Sequence, residues 1–469
     1  MNSQGITACF KAYDIRGKVP EELDTEFCYA LGLALASEFK LGSGSGSTVV
    51  CGRDVRPSGF ELGAAFTEAL LGLGIGVTDI GVCGTEEVYF AAARHAFDLG
   101  VMFTASHNPA EYNGIKIVRS GAVPLSGDSG LFSLRDRILN KKFAEKPAAG
   151  QHRGQLRQVS YQDEYIAFIL SCLEPPVEKH PLKIVLNPGN GSAGALLKKI
   201  LPALPGEFIV IHGDPDGTFP NGIPNPLLPE CRADTAQAVL THKADLGLAW
   251  DGDFDRCFFY DAQAEFIESY YLIGLFAKKI LRACPGGKIL YDTRLTWNTI
   301  EQVLEANGVP VQSKTGHAFM KERMRGEQAV YGGEMSAHHY FRNFYFCDSG
   351  MLPWITLMNI LAELKQPLEE VLAERIKAYP CSGEINFKLA RALPAKEIFN
   401  ALKVRYAPEI KNENYLDGLS ADCGNWRFNL RSSNTEPLLR LNVESKGDAV
   451  LMRDKTAEIS ALIGSFSGV

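Results

Sequence analysis

The sequence predicts an α/β protein of several domains whose last part is α+β. The chain has 469 residues, which is too long for a single hydrophobic core and favours three to four domains. Short apolar runs alternate with helical patterns as far as Lys377, an alternation that is typical of mostly parallel sheets. From Gly383 onward, strands are followed by a helix. The C-terminal part therefore differs in class from the rest.

Each predicted strand is a short apolar run that ends in polar or turn-forming residues. The predicted strands cover residues 48–52, 76–80, 99–104, 115–118, 183–187, 208–212, 245–249 and 288–291. Three places have the composition of domain boundaries. They are the polar stretch 140–157, the stretch 260–268 that leads from a strand into an aromatic helix, and Tyr379-Pro380, where a charged helix ends.

Charge and cysteine usage exclude several classes of protein. The net charge is −7 and the isoelectric point is about 5.8, so no broad basic field is available to bind nucleic acid or an anionic membrane. Eleven cysteines are scattered singly without a CxxC pair, which is typical of reduced thiols in a cytoplasmic protein. No apolar run is long enough to span a membrane. Any bound anion must be held by local groups.

The first candidate loop is residues 104–109 (TASHNP), which follow the predicted strand 99–104. Small residues leave the hydroxyl of Ser106 accessible at the mouth of the sheet, which suits a nucleophile or a carrier of a phosphoryl group. An ordinary turn is the alternative. Lys116 lies in the next predicted strand, and we expect it to reach the same edge of the sheet.

A second loop, residues 251–256 (DGDFDR), follows the predicted strand 245–249. Asp251, Asp253 and Asp255 alternate, and alternate side chains of an extended loop share a face, so the three carboxylates are expected to bind one Mg²⁺ ion. A solvated acidic turn is the alternative. An EF-hand is excluded because Arg256 and Ala262 stand where that loop needs Gly and Glu.

Residues 332–339 (GGEMSAHH) form a third polar loop. Glu334 and Ser336 are two residues apart and offer hydrogen-bonding groups on one side, which suits neighbouring sugar hydroxyls. The adjacent His338 and His339 suggest a metal, but in extended backbone their side chains point to opposite faces. We therefore do not expect this pair to ligate a metal.

A fourth loop, residues 431–437 (RSSNTEP), has the groups that bind a phosphate dianion. It offers the guanidinium of Arg431, hydroxyl and amide side chains, and exposed backbone N–H groups. A turn rich in Ser and Asn is the alternative. Residues 189–194 (GNGSAG) match a dinucleotide-binding pattern, but Pro188 interrupts the turn from strand to glycine, which favours a closely packed strand–helix turn.

Together these loops resemble the α-D-phosphohexomutase superfamily, and the resemblance covers essentially the whole chain. The matching segments are residues 11–17 (KAYDIRG), 52–54 (GRD), 104–109, 251–256, 314–317 (KTGH), 334–338 and 431–437. Within the superfamily, residues 332–342 (GGEMSAHHYFR) are most similar to the bacterial phosphomannomutases of GDP-mannose and exopolysaccharide synthesis. At position 337 many members have Gly where this chain has Ala.

The resemblance implies a four-domain architecture with three mixed α/β domains, residues 1–152, 153–261 and 262–378, and a C-terminal α+β domain, residues 379–469. It implies that the protein interconverts mannose 6-phosphate and mannose 1-phosphate in the cytoplasm, with Mg²⁺ and with a hexose 1,6-bisphosphate as intermediate and activator. The expected partner is a phosphorylated hexose, with no nucleic acid, membrane or obligate protein partner. Three alternatives stay open: a phosphoglucomutase or dual-specificity enzyme, an NAD-dependent sugar-nucleotide dehydrogenase, and a non-catalytic sugar-phosphate-binding protein.

The resemblance also implies roles for particular residues. Ser106 carries the phosphoryl group, and a phosphate oxygen on Ser106 joins Asp251, Asp253 and Asp255 around Mg²⁺. Arg16 and Arg256 stabilise or orient the reacting group, and Lys116 and His317 are the candidates for acid and base. The expected substrate-binding residues are Tyr13, Lys314, Glu334, Ser336, His338, Arg431, Ser433, Asn434 and Thr435.

Overall fold

The computed structural model describes residues 3–42, 46–143, 153–175, 181–388, 395–432 and 438–467. The chain forms two compact units. The first unit contains residues 1–266 and 338–365, and the second contains residues 267–337 and 366–469. Among the described residues, no helix combines the length and the apolar composition that crossing a membrane requires. All eleven cysteines are free thiols, as the sequence predicts.

The first part of the chain builds a seven-stranded sheet in the first unit. Its order is β1-β5-β4-β2-β3-β7, with β6 paired to β5. Strands β4, β2, β3 and β7 are parallel, whereas β5 and β1 are antiparallel to their neighbours. The elements are α1 (Ser3–Cys9), β1 (Ile15–Lys18), α2 (Thr25–Glu38), β2 (Thr48–Arg53), α3 (Ser58–Gly72), β3 (Gly76–Val82), α4 (Thr85–Arg94), β4 (Leu99–Phe103), β5 (Tyr112–Arg119), β6 (Val123–Pro124), α5 (Phe132–Leu139), β7 (Leu156–Gln158) and α6 (Gln162–Ser171).

A second sheet follows in the same unit. Strands β10, β8 and β9 are parallel neighbours, and β11 is antiparallel to β10. The elements are β8 (Lys183–Asn187), α7 (Ala193–Ile200), β9 (Glu207–Val210), α8 (Ala233–His242), β10 (Leu246–Trp250), β11 (Cys257–Tyr260) and β12 (Phe266–Ile267).

The second unit opens with three parallel strands in the order β14-β13-β15. The elements are α9 (Ser269–Ala283), β13 (Lys288–Tyr291), α10 (Trp297–Glu305), β14 (Val309–Gln312), α11 (His317–Glu327) and β15 (Tyr331–Gly333). The chain then supplies an antiparallel pair and a helix to the first unit. These elements are β16 (His339–Phe341), β17 (Cys347–Asp348) and α12 (Met351–Leu364).

The C-terminal part of the second unit is a five-stranded antiparallel sheet with the order β18-β22-β21-β20-β19. Its elements are α13 (Leu368–Ala378), β18 (Ile385–Lys388), α14 (Ala395–Tyr406), β19 (Asn412–Asn414), β20 (Leu419–Asp422), β21 (Trp426–Ser432), β22 (Leu438–Ser445) and α15 (Ala449–Ser467). The predicted fold class, mixed α/β sheets followed by an α+β part, is therefore confirmed.

Two details of the prediction differ from the structure. The predicted strand 208–212 ends earlier, at Val210, because His212 adopts a left-handed backbone conformation with φ +48°, which ends an extended strand. Helix α14 lies between β18 and β19, whereas the sequence predicted a helix only after the strands of this part. Its buried residues Ile398, Leu402 and Tyr406 recur every four residues, which is the helical signal that could have found it.

The two buried strands β4 and β10 explain where the candidate loops lie. Every residue of both strands is buried, as expected for strands of a mostly parallel sheet that is covered on both faces. The first polar side chains after them are Thr104 and Asp251. The loops that begin at Thr104 and Asp251 therefore lie at the ends of buried strands, where parallel sheets usually bind ligands.

The glycine-rich turn 189–194 is packed against the protein's own backbone. A Cβ atom on Gly194 would lie 2.1 Å from the carbonyl oxygen of Gly213, and the N–H of Ser192 donates to the carbonyl of Gly252 at 2.9 Å. This confirms the prediction of a closely packed strand–helix turn. The same contact ties the turn to the acidic loop 251–256.

Candidate active site

The serine loop, residues 104–109, holds Ser106 in an uncommon backbone conformation. Ser106 has φ +50°, which is a left-handed conformation that non-glycine residues adopt only when surrounding contacts enforce it. Thr104 provides one such contact, because its Oγ1 accepts a hydrogen bond from the Ser106 N–H at 2.9 Å. Thr104 in turn donates to Asp54 Oδ2 at 2.7 Å. Thr104, itself bound to Asp54, thus holds the conformation of Ser106.

Arg56 fastens the same loop from the other side. Its guanidinium donates to Asp54 Oδ2 at 3.2 Å, and its terminal nitrogens donate to four backbone carbonyls, three in the serine loop and one at the start of β5. These belong to Ser106 (3.0 Å), Asn108 (2.6 Å), Pro109 (2.5 Å) and Tyr112 (2.9 Å). Arg56 was not among the predicted site residues. The available signal was Asp54-Val55-Arg56 directly after a buried strand.

The hydroxyl of Ser106 lies among polar groups of the acidic loop. Ser106 Oγ donates to Asp251 Oδ2 at 2.5 Å, accepts from Arg256 Nη2 at 3.0 Å, and lies 3.1 Å from His107 Nδ1. Arg256 also donates from Nε to Asp251 Oδ2 at 2.7 Å. Ser106 and the acidic loop, 145 residues apart in sequence, are therefore parts of one site.

The three aspartates converge, but not for the reason the spacing suggested. Ligand atoms of Asp251, Asp253 and Asp255 lie within 4.8 Å of one another. The loop is a turn and not an extended segment, since Phe254 has φ +45° and its N–H donates to the Asp251 carbonyl at 3.1 Å. The predicted convergence is thus confirmed, whereas the argument from alternation in an extended loop is wrong.

Lys116 lies at this cluster, as expected from its strand. Its Nζ donates to Asp253 Oδ2 at 2.7 Å and to Asp255 Oδ2 at 2.5 Å. Although burial alone would lower the pKa of Lys116, the two carboxylates raise it. Burial opposes ionisation of Asp255 as well, but Lys116 outweighs it and holds the pKa of Asp255 well below its ordinary value. Burial raises the pKa of Asp251 to about 6, and Arg256 opposes that rise.

The residues present fit a divalent cation. Asp253 Oδ1 is buried and accepts no hydrogen bond from any residue that the structure describes, and Asp255 Oδ1 lies 3.6 Å from His338 Nε2. Buried carboxylate oxygens that converge in this way are ligands for a hard cation such as Mg²⁺.

Asp255, His338 and Asp348 form a second group whose ligand atoms lie close enough together to hold a metal ion. His339 is buried, and burial followed by the effect of His338 lowers its pKa to about 3.

Arg16 and Tyr13 lie at the start of the same unit. Arg16, in β1, donates to Asn108 Oδ1 and to Asp14 Oδ2, both at 2.6 Å. Arg16 therefore contacts the serine loop directly. Tyr13 is partly buried. Burial alone would lower the pKa of Arg16, but Asp14 and Tyr13 raise it.

In the second unit, Arg294 organises the loop that carries Glu334 and Ser336. Its Nη2 donates to Ser336 Oγ at 3.2 Å and lies 3.6 Å from Glu334 Oε1. Arg294 is held by Asp292 Oδ2 at 2.6 Å. Ala337 adopts φ +66°, a conformation that glycine adopts more easily. Arg294 was not among the predicted site residues, although it follows β13 in the same Asp-x-Arg pattern as Arg56.

The segment that contains Lys314 and His317 contacts the same loop, although its contact residue lies 18 residues away in sequence. Glu334 Oε1 accepts from the N–H of Gly316 at 2.8 Å, and Gly316 directly precedes His317, the first residue of α11. His317 is buried, whereas Lys314 is exposed with its Nζ 5.9 Å from the centre of the Phe319 ring.

Arg431 belongs to a cluster of guanidinium groups around Glu384. The Glu384 carboxylate lies 3.2 Å from Arg294 Nη1, 3.4 Å from Arg431 Nη2 and 3.0 Å from Arg440 Nη1. Burial alone would raise the pKa of Glu384, but Arg440, Arg294 and Arg431 lower it to about 2. Glu384 and Arg440 were not among the predicted site residues. Three predicted phosphate-binding residues, Ser433, Asn434 and Thr435, lie outside the described residues.

The Glu384 cluster predicts a specific pH dependence of stability. Because the pKa of Glu384 in the folded protein lies below its ordinary value, its ionised form stabilises the fold above about pH 4.5, and this contribution is lost as the pH falls towards 2. We expect Glu384→Gln to lower the free energy of unfolding by about 3 kcal/mol at pH 7, with a difference from the unmodified protein that shrinks below pH 4.5.

Urea unfolding at several pH values between 7 and 2.5 checks this expectation. Glu413→Gln is the matched control, because Glu413 pairs with Lys403 at 3.0 Å on the protein surface, and such pairs contribute about 1 kcal/mol or less. A Glu384→Gln deficit that stays constant with pH would mean that the carboxylate charge is not what stabilises the cluster.

Comparison with protein-family models identifies all four parts of the chain. The models described as phosphoglucomutase/phosphomannomutase alpha/beta/alpha domains I, II and III match residues 7–145, 163–264 and 268–379. The C-terminal domain model of the same family matches residues 384–461.

Curated relatives match over nearly the whole chain. Proteins named phosphomannomutase from Salmonella typhimurium and Escherichia coli K12 are 50% and 47% identical, each over 97% of this chain and 98% of the relative. A protein named phosphohexose mutases from Xanthomonas campestris is 51% identical over 97% of this chain and 98% of its own length.

Solved structures agree in fold. A phosphoglucomutase/phosphomannomutase family protein from Burkholderia thailandensis superposes with a TM-score of 0.84 and 31% identity over 96% of both chains. A putative phosphomannomutase from Thermus thermophilus superposes with a TM-score of 0.80 and 20% identity over 97% of this chain and 98% of that chain.

Proposed function

The chain belongs to the phosphoglucomutase/phosphomannomutase family, and from that premise we propose that it is a phosphomannomutase that interconverts mannose 6-phosphate and mannose 1-phosphate. One observation carries the proposal. Ser106 Oγ lies within hydrogen-bond distance of Asp251 and Arg256 in a buried site, beside carboxylates that could hold a divalent cation. A serine in these surroundings is suited to accept and donate a phosphoryl group.

In the proposed reaction, phosphorylated Ser106 donates its phosphoryl group to the free hydroxyl of the sugar phosphate and leaves a hexose 1,6-bisphosphate. The bisphosphate then returns its other phosphate to Ser106 Oγ, so the enzyme ends the cycle phosphorylated. Mg²⁺ held by Asp251, Asp253, Asp255 and a phosphate oxygen on Ser106 would neutralise charge on the transferring group. Arg256 donates to Ser106 Oγ at 3.0 Å and stabilises the same charge.

The other site residues bind and orient the substrate in this proposal. Glu334 and Ser336 hold sugar hydroxyls, supported by Arg294, which contacts both side chains. Arg431 binds the phosphate that does not react. The remaining proposed substrate-binding residues are Tyr13, Lys314, His338, Ser433, Asn434 and Thr435.

A proton must leave the attacking hydroxyl and another must reach the departing serine oxygen. Lys116 and His317 are the proposed acid and base. Lys116 lies at the acidic cluster, and His317 follows the glycine whose N–H donates to Glu334. Arg16 orients the reacting oxygens through its contact with the serine loop.

The proposal retains the domain division 1–152, 153–261, 262–378 and 379–469. The family matches support it, since each covers most of one domain. The second match passes the boundary at 261 by three residues, ending at 264, and the third passes the boundary at 378 by one residue, ending at 379. We also propose a cytoplasmic enzyme that supplies GDP-mannose and exopolysaccharide synthesis.

A kinetic comparison of two substrates tests the function. Mannose 1-phosphate and glucose 1-phosphate are assayed separately with Mg²⁺ and catalytic hexose 1,6-bisphosphate, with product formation coupled to a dehydrogenase. We expect kcat/KM to favour the mannose compound by at least about tenfold. The two sugars differ in configuration at C2, and a C2 hydroxyl in the wrong configuration leaves a hydrogen-bonding group of the site unpaired. A protein without mutase activity on either sugar would contradict the proposal.

A dual-specificity phosphohexomutase is the second candidate. It is favoured by the Xanthomonas campestris relative, which is 51% identical and is named phosphohexose mutases. Equal kcat/KM for the two sugar phosphates would replace the phosphomannomutase assignment with this one.

A further inference from the structure

Thr85 connects the start of α4 to the acidic loop. It is the first residue of α4 and is fully buried. Its hydroxyl donates to Asp253 Oδ2 at 2.5 Å, and its backbone N–H donates to the Asp253 carbonyl at 3.0 Å. One residue of α4 thus holds both the main chain and the side chain of Asp253.

These contacts leave one oxygen of Asp253 for a ligand. Oδ2 accepts from Thr85 Oγ1 and also from Lys116 Nζ at 2.7 Å. Oδ1 is buried and accepts no hydrogen bond from the described part of the chain. Since two donors on one oxygen determine the rotation of the carboxylate, Oδ1 is presented in one direction.

The start of α4 is itself held tightly against the acidic loop. A Cβ atom on Gly84 would lie 2.2 Å from the ring of Phe254, so only glycine allows this approach. The N–H of Gly84 donates to Glu87 Oε2 at 2.8 Å, which closes the first turn of the helix. Thr85 therefore acts from a rigid element and not from a second loop.

We propose that Thr85 is a positioning residue of the cation site, which orients Asp253 so that Oδ1 faces the bound divalent ion. This inference rests on the cation site of the proposed function. Groups that orient a metal ligand affect metal affinity strongly, commonly by 10–100-fold when they are replaced. Thr85 lies 166 residues before Asp251 (251 − 85), outside the loop that supplies the ligands.

Cation affinity separates this role from a purely structural one. A residue that only packs the start of α4 would lower stability when replaced but leave cation binding unchanged. A positioning residue changes the affinity, and a variant that keeps the hydroxyl restores it. Both quantities are measurable on the full-length protein without substrate.

Titration with Mn²⁺, followed by electron paramagnetic resonance, compares the unmodified protein with Thr85→Val and Thr85→Ser. We expect Thr85→Val to weaken Mn²⁺ binding by roughly 10–100-fold and Thr85→Ser to stay within about threefold of the unmodified protein. Turnover at low Mg²⁺ should fall in parallel for Thr85→Val and recover at high Mg²⁺. If Thr85→Val does not fold, Thr85→Ala removes the same hydroxyl with a smaller side chain.

Thr235→Val is the matched control. Thr235 is also fully buried in the first unit, and its hydroxyl accepts from Asn187 Nδ2 at 2.9 Å. It should lose stability with unchanged Mn²⁺ affinity. Equal Mn²⁺ affinity in Thr85→Val and the unmodified protein would overturn the role of Thr85 alone. An unmodified protein that binds no Mn²⁺ would overturn the cation site itself, and the inference with it.

Discussion

Replacement of Ser106 by alanine is expected to reduce turnover by roughly three orders of magnitude or more, because removal of a nucleophile that forms the covalent intermediate abolishes that route. In the proposed reaction, Ser106 Oγ is the atom that carries the phosphoryl group between the two positions of the sugar. Asp251 and Arg256 contact this oxygen, and in the proposed reaction Asp251 is a cation ligand and not the phosphoryl carrier. The measurement is the coupled mutase assay with hexose 1,6-bisphosphate added.

Labelling distinguishes loss of the carrier from loss of the fold. The unmodified protein should acquire phosphate from labelled hexose 1,6-bisphosphate, and Ser106→Ala should not, while its thermal midpoint changes little. Ser58→Ala is a suitable control, since Ser58 accepts from Asn113 Nδ2 at 2.9 Å at the start of α3, away from the reacting atoms. Unchanged mutase turnover in Ser106→Ala would remove the phosphoserine from the mechanism.

The sequence was sufficient to place the serine loop and the acidic loop at the ends of buried strands. Ser106 and Asp251 both follow strands whose residues are all buried, and polar residues at the end of such a strand lie at an edge of the sheet. Only the residue types and their place after apolar runs were needed for this prediction. The contact of Ser106 Oγ with Asp251 Oδ2 at 2.5 Å then agrees with the expectation that separate loops meet.

The residues that hold these loops in place could not be found in the same way. Thr85 and Glu384 act on partners far away in sequence, and each looks like an ordinary residue of a helix start or a strand start. Phe254 illustrates a second limit. Its φ of +45° turns the acidic loop. The sequence does not indicate this turn, because phenylalanine rarely adopts a positive φ.

The same Asp-x-Arg turn occurs in each of the two units. Asp54-Val55-Arg56 follows β2, and Asp292-Thr293-Arg294 follows β13. In each turn the Asp carboxylate accepts from the backbone N–H and from Nε of the Arg, at 2.9 and 3.2 Å in the first and at 2.8 and 3.0 Å in the second. Each Arg then donates to a candidate loop of its own unit, the serine loop in the first unit and the loop with Ser336 in the second.

Lys116→Met is expected to impair both stability and turnover, and the stability deficit should depend on the cation. Lys116 Nζ contacts Asp253 at 2.7 Å and Asp255 at 2.5 Å, and all three side chains are buried. Removal of one partner from a buried ion pair costs about 3–5 kcal/mol, because the remaining charges have no compensation. Loss of a proton donor or acceptor lowers turnover by a further 10²–10⁴-fold, approximately.

Thermal unfolding in EDTA and in Mg²⁺ separates the two effects. A divalent cation can replace the lost positive charge, so Mg²⁺ should raise the thermal midpoint of Lys116→Met more than that of the unmodified protein, while turnover stays low. Lys198→Met is the control, since Lys198 pairs with Asp214 at 2.7 Å on the surface and should cost about 1 kcal/mol or less. If turnover returns with the cation, Lys116 only balances charge, and His317 becomes the stronger candidate for proton transfer.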